Sequence, residues 1–235
     1  MTISYHPKYK QEAIELKEFL KKEDINLDIN WVIGGDGSLF TYLDLEKPNF
    51  LISPENSVGH YASARLKNYK KRILEYTKNP ESFNELYETI KVTINGDELT
   101  EKALNDVLIT EGLHRLSKYT INNEQSMNSG ILIYTPQGWH GYAKNLKAKQ
   151  YPTSLGLTII APVKGVENTS FKELIIKINK RNRKTNFKLY IDCKDIQPYD
   201  NSCSDKEKVY HKPHKLELGD KIKISKGKEI IIVQI

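Results

Sequence analysis

Cysteine is nearly absent. Cys193 and Cys203 are the only two in 235 residues. Two thiols are too few for a disulfide framework or a cysteine-built zinc site. No stretch approaches the roughly 18 consecutive apolar residues of a membrane helix. The start, MTISYHPKYK, lacks the apolar core of a signal peptide. A cytoplasmic protein is the simplest expectation. Internal repeats and low-complexity segments are missing as well. So are two familiar phosphate-binding signatures, the Lys-Ser/Thr pair of a Walker A loop and the G-x-G-x-x-G spacing of dinucleotide folds. The densest basic run, Lys180-Arg181-Asn182-Arg183-Lys184, has no aromatic residues among its charges, so no dedicated nucleic-acid groove is indicated. His211 and His214 flank Lys212-Pro213 without a further ligand at metal-site spacing.

What is present describes a globular chain. Charged residues make up 28% and hydrophobic ones 38%, a globular rather than a disordered composition. The length suits one large domain or two small ones with a real core. The net charge of +6 leaves two readings open, an anionic ligand such as a nucleotide or simply a lysine-rich surface.

Read in order, Thr2 to Tyr5 is a first strand. Tyr9 to Glu23 is a helix with Ala13, Leu16 and Leu20 on one face. Asn30 to Ile33 is a second strand, Ser38 to Leu45 a short helix, and Phe50 to Ser53 a third strand. This βαβα order predicts a Rossmann-like parallel sheet. Helices are expected at Lys70 to Lys78 and Glu81 to Tyr87. After Glu88 the pattern becomes mostly β, with strands at Lys91 to Ile94, Asp106 to Thr110, Ser117 to Ile121 and Ile131 to Thr135. More follow at Gly156 to Ala161, Leu174 to Ile178, Phe187 to Ile191, Lys221 to Ser225 and Ile230 to Ile235. The expected fold is therefore an α/β domain over residues 1–90 and a mostly β domain over residues 91–235.

Three motifs carry chemistry. The first is Gly34-Gly35-Asp36-Gly37-Ser38, entered by the apolar run Trp31-Val32-Ile33. A strand that stops at glycines marks the carboxyl edge of an α/β sheet, where ligands bind. Glycine lets backbone approach a bulky anion. An acid in such a turn would repel phosphate unless it holds a metal or takes a proton. Asp36 is thus a candidate base for phosphoryl transfer. The second motif is Asn105-Asp106 at the start of an apolar strand. It either hydrogen-bonds the hydroxyls of a ribose or forms an Asx turn. The third is the strand and loop from Gly130 to Tyr142, rich in glycine and aromatics, which suits a flat ligand or a plain β-turn. His140 lies in that loop.

In this order the motifs resemble those of the NAD kinase family, namely Gly-Gly-Asp-Gly-Thr/Ser, then Ala-Leu-Asn-Glu, then Thr-Pro-x-Gly-Ser-Thr-Ala-Tyr. Here they stand as Gly34 to Ser38, as Ala103-Leu104-Asn105-Asp106, and as Thr135-Pro136-Gln137-Gly138-Trp139-His140-Gly141-Tyr142. The first motif is shared with diacylglycerol and sphingosine kinases and with phosphofructokinases. The resemblance implies an α/β domain followed by a β-rich one, with the active site between them. It implies ATP-dependent phosphorylation of the 2′-hydroxyl on the adenosine ribose of NAD, assisted by Mg²⁺ or another divalent cation. Asp36 would be the base, with Gly34, Gly35 and Ser38 at the donor phosphates. Gly37, Asn105, Asp106, Gly141 and Tyr142 would contact the acceptor. Gly59, His60 and Tyr61, preceded by Val58, would line its adenine side. Polyphosphate as donor, NADH as acceptor and a homo-oligomeric state are also implied possibilities.

The chain departs from the family pattern at several places. Asp106 replaces a glutamate one methylene longer. Ser129 stands where many members have an acid, and His60 replaces a phenylalanine. Trp139-His140-Gly141 replaces Ser-Thr-Ala, and the Ser53-Pro54-Glu55-Asn56-Ser57 loop lacks the family's Asn-x-Gly. The departures fall around the turn and leave the turn itself intact. A non-catalytic dinucleotide sensor and a kinase for another nucleoside or lipid hydroxyl are the rival readings.

Overall fold

The computed structural model describes residues 3–57, 59–112, 115–179, 186–192 and 213–235. Thr2 of the expected first strand, Val58, the basic run at 180–184, Cys193, Cys203, His211 and Lys212 lie outside the described residues. The chain forms two compact units. The first takes residues up to Tyr87 together with Glu229–Ile235, and the second begins at Glu88 and closes at Lys228.

The first unit is a mixed sheet. Strands β1 (Ile3–Tyr5), β2 (Asn30–Ile33) and β3 (Asn49–Ser53) run parallel, with Trp31 opposite Phe50. Every residue of β2 and β3 is buried, as expected of strands covered on both faces. Helix α1 (Lys10–Lys22) packs Ala13, Leu16 and Leu20 into a cluster with Trp31 and Phe50. Glu12 in its first turn and Lys21 and Lys22 in its last complement the helix dipole. Helix α2 is Asp36–Thr41, the two-residue strand β4 (Ala64–Arg65) pairs with β3, and helix α3 is Tyr69–Lys78.

Two expectations are corrected here. The segment Glu81 to Tyr87 is not a helix. A single 3₁₀ turn at Pro80–Phe83 leads into strand β5 (Asn84–Tyr87). The final strand, β18 (Ile230–Val233), does not join the β-rich unit. It inserts between β3, to which it is parallel, and β5, to which it is antiparallel. Asn49 fastens this return. Its side chain donates to the Ile231 carbonyl at 3.1 Å and accepts from the Asn30 amide at 2.8 Å.

The second unit has two antiparallel six-stranded sheets. One runs β10 (Glu124–Asn128), β9 (Ser117–Ile121), β14 (Glu173–Ile178), β17 (Lys221–Lys226), β6 (Ile90–Ile94), β7 (Asp97–Glu98). The other runs β13 (Thr169–Phe171), β12 (Leu155–Ile160), β11 (Gly130–Tyr134), β8 (Asp106–Thr110), β15 (Phe187–Ile191), β16 (His214–Leu216). Alternate residues of both sheets share one core, with Val107, Ile109, Ile131 and Ile133 from one and Ile176, Ile222 and Ile224 from the other. The opposite face of the second sheet, Leu108, Leu132 and Tyr134, is covered by the segment around helix α4 (Tyr142–Asn145). His214 pairs with Glu101 at 3.4 Å. Among the described residues no helix is long and apolar enough to cross a membrane.

Ile232 is fully buried in β18, which lies between β3 and β5 in the first sheet. Replacing a buried isoleucine by alanine costs about 2–5 kcal/mol. Ile232→Ala is expected to lower the stability measured by urea unfolding by that amount. A change under about 0.5 kcal/mol, the range of ordinary surface substitutions, would contradict the placement of β18.

Candidate active site

The Gly34–Ser38 turn leaves the carboxyl end of β2, and the loop that follows Ser53 leaves the carboxyl end of the neighbouring strand β3. Adjacent parallel strands therefore bring the two loops to one edge of the sheet. Gly34 is held on both sides. Its N–H donates to the Ile52 carbonyl at 3.0 Å, and its carbonyl accepts from the Ser53 hydroxyl at 2.9 Å.

Asp36 opens helix α2, and the loop from β3 folds over its carboxylate. The backbone N–H of His60 donates to Oδ2 at 2.7 Å, and that of Tyr61 approaches Oδ1 at 3.4 Å. The chain passes so close that a Cβ on Gly59 would collide with the Asp36 carboxyl group, 3.0 Å from Cγ. The loop is itself braced. Arg65 donates to the carbonyls of Pro54 at 3.1 Å and Ser57 at 2.8 Å. Glu55 accepts from the Lys67 N–H at 2.8 Å, which with Lys67 and Arg65 nearby lowers its pKa. Tyr61 is buried edge-on against Phe40 and Tyr87, with ring centroids 5.8 and 5.5 Å apart.

Burial raises the Asp36 pKa above its ordinary value of 3.8. The His60 and Tyr61 N–H groups and the charges of His60 and Arg65 oppose that rise without cancelling it. A carboxylate with raised basicity and a fixed orientation is the form a general base takes.

The second unit gathers the other expected residues. Asp106 begins β8 opposite Tyr134 of β11, and the loop leaving β11 crosses back over Leu104 and Asn105. The Thr135 N–H donates to the Asn105 carbonyl at 2.9 Å, and its hydroxyl to the Leu104 carbonyl at 2.7 Å. Gln137 reaches the same Leu104 carbonyl at 3.1 Å. Gly138 packs directly on this turn, where a Cβ would lie 2.6 Å from the Asn105 Cα. Gly141 is also adjacent, since a Cβ there would sit 3.6 Å from the Asn105 side-chain nitrogen. Tyr142 packs against the apolar cluster of Leu108, Leu132 and Tyr134. Trp139 joins that cluster and donates its indole N–H to the Ala148 carbonyl at 2.7 Å. The expected site residues thus fall into two sets. Gly34, Gly35, Asp36, Gly37, Ser38, His60 and Tyr61 are in the first unit, and Asn105, Asp106, Gly141 and Tyr142 are in the second.

The motifs did not single out Arg65 or Asp192. Asp192, the residue after β15, is buried and accepts from the N–H groups of Leu104, Asn105 and Asp106 at 3.2, 2.7 and 3.2 Å. The available signal was an acid ending the alternating run Phe187 to Ile191.

Comparison with solved structures identifies the architecture. An NAD kinase from Archaeoglobus fulgidus, solved in complex with ATP, matches with a TM-score of 0.70, over 99% of this chain and 92% of that one, at 16% identity. The chain has the NAD kinase fold. A yeast NADH kinase complexed with NADH matches with a TM-score of 0.67 over 89% of this chain and 63% of that one, also at 16% identity. In sequence, the NAD kinase of Picrophilus torridus is 29% identical over 133 residues, which is 54% of this chain and 48% of that protein. The chain therefore spans about half the length of the curated relative it matches. No protein-family model matches the chain. By fold, and by sequence over about half its length, the chain is similar to NAD kinases.

The raised pKa of Asp36 has a consequence for stability. An acid that binds its proton more tightly when folded makes the native state lose stability as pH rises from 3.8 through the folded pKa. Asp36→Asn removes that loss. The stability of Asp36→Asn relative to the wild type, followed by denaturant unfolding, is expected to increase with pH across this interval and then level off. A difference that stays constant or falls would show that the carboxylate is not held in a desolvated place.

Proposed function

We propose that the protein is an ATP-dependent NAD kinase that phosphorylates the 2′-hydroxyl of the adenosine ribose of NAD to give NADP. The observation that carries this reading is Asp36, a carboxylate made more basic by burial and steered by the His60 and Tyr61 N–H groups in a glycine-rich turn. The ATP and NADH held by the two structural relatives support nucleotide substrates of these classes.

In the proposed reaction the acceptor hydroxyl oxygen attacks the γ-phosphorus of ATP in line. The hydroxyl proton passes to the Asp36 carboxylate. The bond from the γ-phosphorus to its bridging oxygen breaks, and ADP leaves with that electron pair. Backbone N–H groups of Gly35, Asp36 and Gly37, where the turn enters helix α2, stabilise charge on the transferring group. Asn105 and Asp106 bind acceptor hydroxyls, the amide donating and accepting and the carboxylate accepting. Gly141 and Tyr142 shape the wall beside them. His60 and Tyr61 contribute their backbone to Asp36; the exposed His60 ring lines the acceptor side, while the buried Tyr61 ring holds the loop in place.

Such kinases use a divalent cation. Among the described residues no group of three or more His, Cys, Asp or Glu side chains is placed to hold one. The donor set does not fit a cage of protein ligands. A Mg²⁺ ion that keeps its waters and binds mainly through substrate phosphates needs no such cage.

Loss of a positioned base lowers turnover by about 10²–10⁴-fold. Asp36→Asn is expected to lose that factor in NADP formation, followed with an NADP-specific coupling enzyme, while calorimetry shows NAD still bound. NADP formation at the wild-type rate would remove Asp36 from the chemistry.

A further inference from the structure

Asp192 is a buried carboxylate with no part in the proton transfer above, yet it stands at the backbone of the acceptor-binding pair. We propose that Asp192 is a positioning residue for acceptor binding, fixing the turn from which the Asn105 and Asp106 side chains extend. This rests on the reading of Asn105 and Asp106 as the pair that binds acceptor hydroxyls.

The strand register puts Asp192 there. Ile191, the last residue of β15, lies opposite Val107, so Asp192 falls opposite Asp106 and donates its own N–H to the Asp106 carbonyl at 2.7 Å. At Asp192 the backbone turns into the left-handed region, φ 54°, a conformation aspartate tolerates better than most residues. The carboxylate then spans three consecutive N–H groups. Oδ2 accepts from Leu104, and Oδ1 accepts from Asn105 and Asp106. Only 7% of Asp192 is exposed, and bonds to an ionised acceptor are the stronger kind.

The carbonyls of the same turn are held from the other side. Thr135 takes those of Leu104 and Asn105, and Gln137 shares the first. The turn is therefore clamped through its N–H groups by one strand end and through its carbonyls by another. Of the two clamps, Thr135 belongs to a motif the family resemblance covers, whereas Asp192 comes from a strand 86–88 residues further along the chain. The ladder that pairs β8 with β11 runs from Asp106 to Thr110 and that with β15 from Val107 to Thr110, so Leu104 and Asn105 lie outside both. What the clamp adds is the direction of two side chains.

Asp192→Asn tests this. Asparagine also tolerates the left-handed backbone and keeps one acceptor oxygen, but sets an NH₂ group against a backbone donor. Losing one charge-assisted bond corresponds to about tenfold. In steady-state assays the KM for NAD is expected to rise about that much, with KM for ATP and kcat within about threefold of the wild type. A purely structural role would instead lower the melting temperature and the amount of active enzyme, reducing apparent kcat for both substrates at unchanged KM, and that result overturns the proposal. Amide hydrogen exchange on the wild type gives a readout that needs neither activity nor a variant. Leu104 and Asn105 N–H groups are expected to be protected to the level of β8. Rapid exchange there overturns the clamp itself. If the wild type makes no NADP, the kinase reading fails by itself. Asp192→Asn then still supports the clamp by selectively speeding exchange at 104–106, or refutes it by leaving exchange unchanged.

Discussion

Two backbone N–H groups, from His60 and Tyr61, point at one carboxylate, and most of the first unit exists to bring them there. Asp36 comes from the end of β2, and the N–H groups come from the loop after β3. Their meeting requires β2 and β3 to be parallel neighbours. It also requires the loop to keep its shape, which Arg65 does from within and Tyr61 does by locking its ring between Phe40 and Tyr87. Burial raises the basicity of the acid while the amides keep it oriented. Those two effects oppose each other in pKa, and together they leave a carboxylate that is both proton-seeking and fixed in direction.

The second unit solves a different problem with similar means. Here a turn carries an amide and a carboxylate, the side chains of Asn105 and Asp106, at the start of β8. Its own backbone N–H and C=O groups would otherwise need partners, because unpaired buried groups are costly. Asp192 supplies the acceptors, and Thr135 and Gln137 supply the donors. Trp139, which stands where the resembling family uses a small residue, is used locally. Its ring packs over Leu108 and Leu132, and its indole N–H is bound to the Ala148 carbonyl.

How much of this was legible in the sequence differs by element. Strands β2 and β3 were plain, because an apolar run bounded by turn residues describes a strand buried on both faces. The place of Gly34 to Ser38 at the end of β2 was plain because an apolar run that stops at two glycines marks the end of a strand. The segment Glu81 to Tyr87 misled, since Glu and Leu suit a helix. Pairing with the apolar strand Ile230 to Val233 overrode that local preference. The placement of β18 was not legible, because an apolar strand at the chain end fits either unit until Asn49 and Ile231 are seen to meet. Strand β10 was missed because Glu124 to Asn128 is polar, without apolar alternation. Asp192 was missed for a more general reason. Its role depends on hydrogen bonds across 86–88 residues of sequence, and no local pattern encodes them.

The proposed task of Asp36 is to serve transfer of a phosphoryl group to a ribose hydroxyl of a nicotinamide dinucleotide. The most direct measurement incubates the wild-type protein with NAD and ATP and identifies the product by phosphorus NMR together with an NADP-specific dehydrogenase. The expected product is a dinucleotide carrying a new phosphate on the adenosine 2′-oxygen, formed with one ADP per NADP. A product phosphorylated elsewhere, or no phosphorylated dinucleotide from a folded protein, would contradict it.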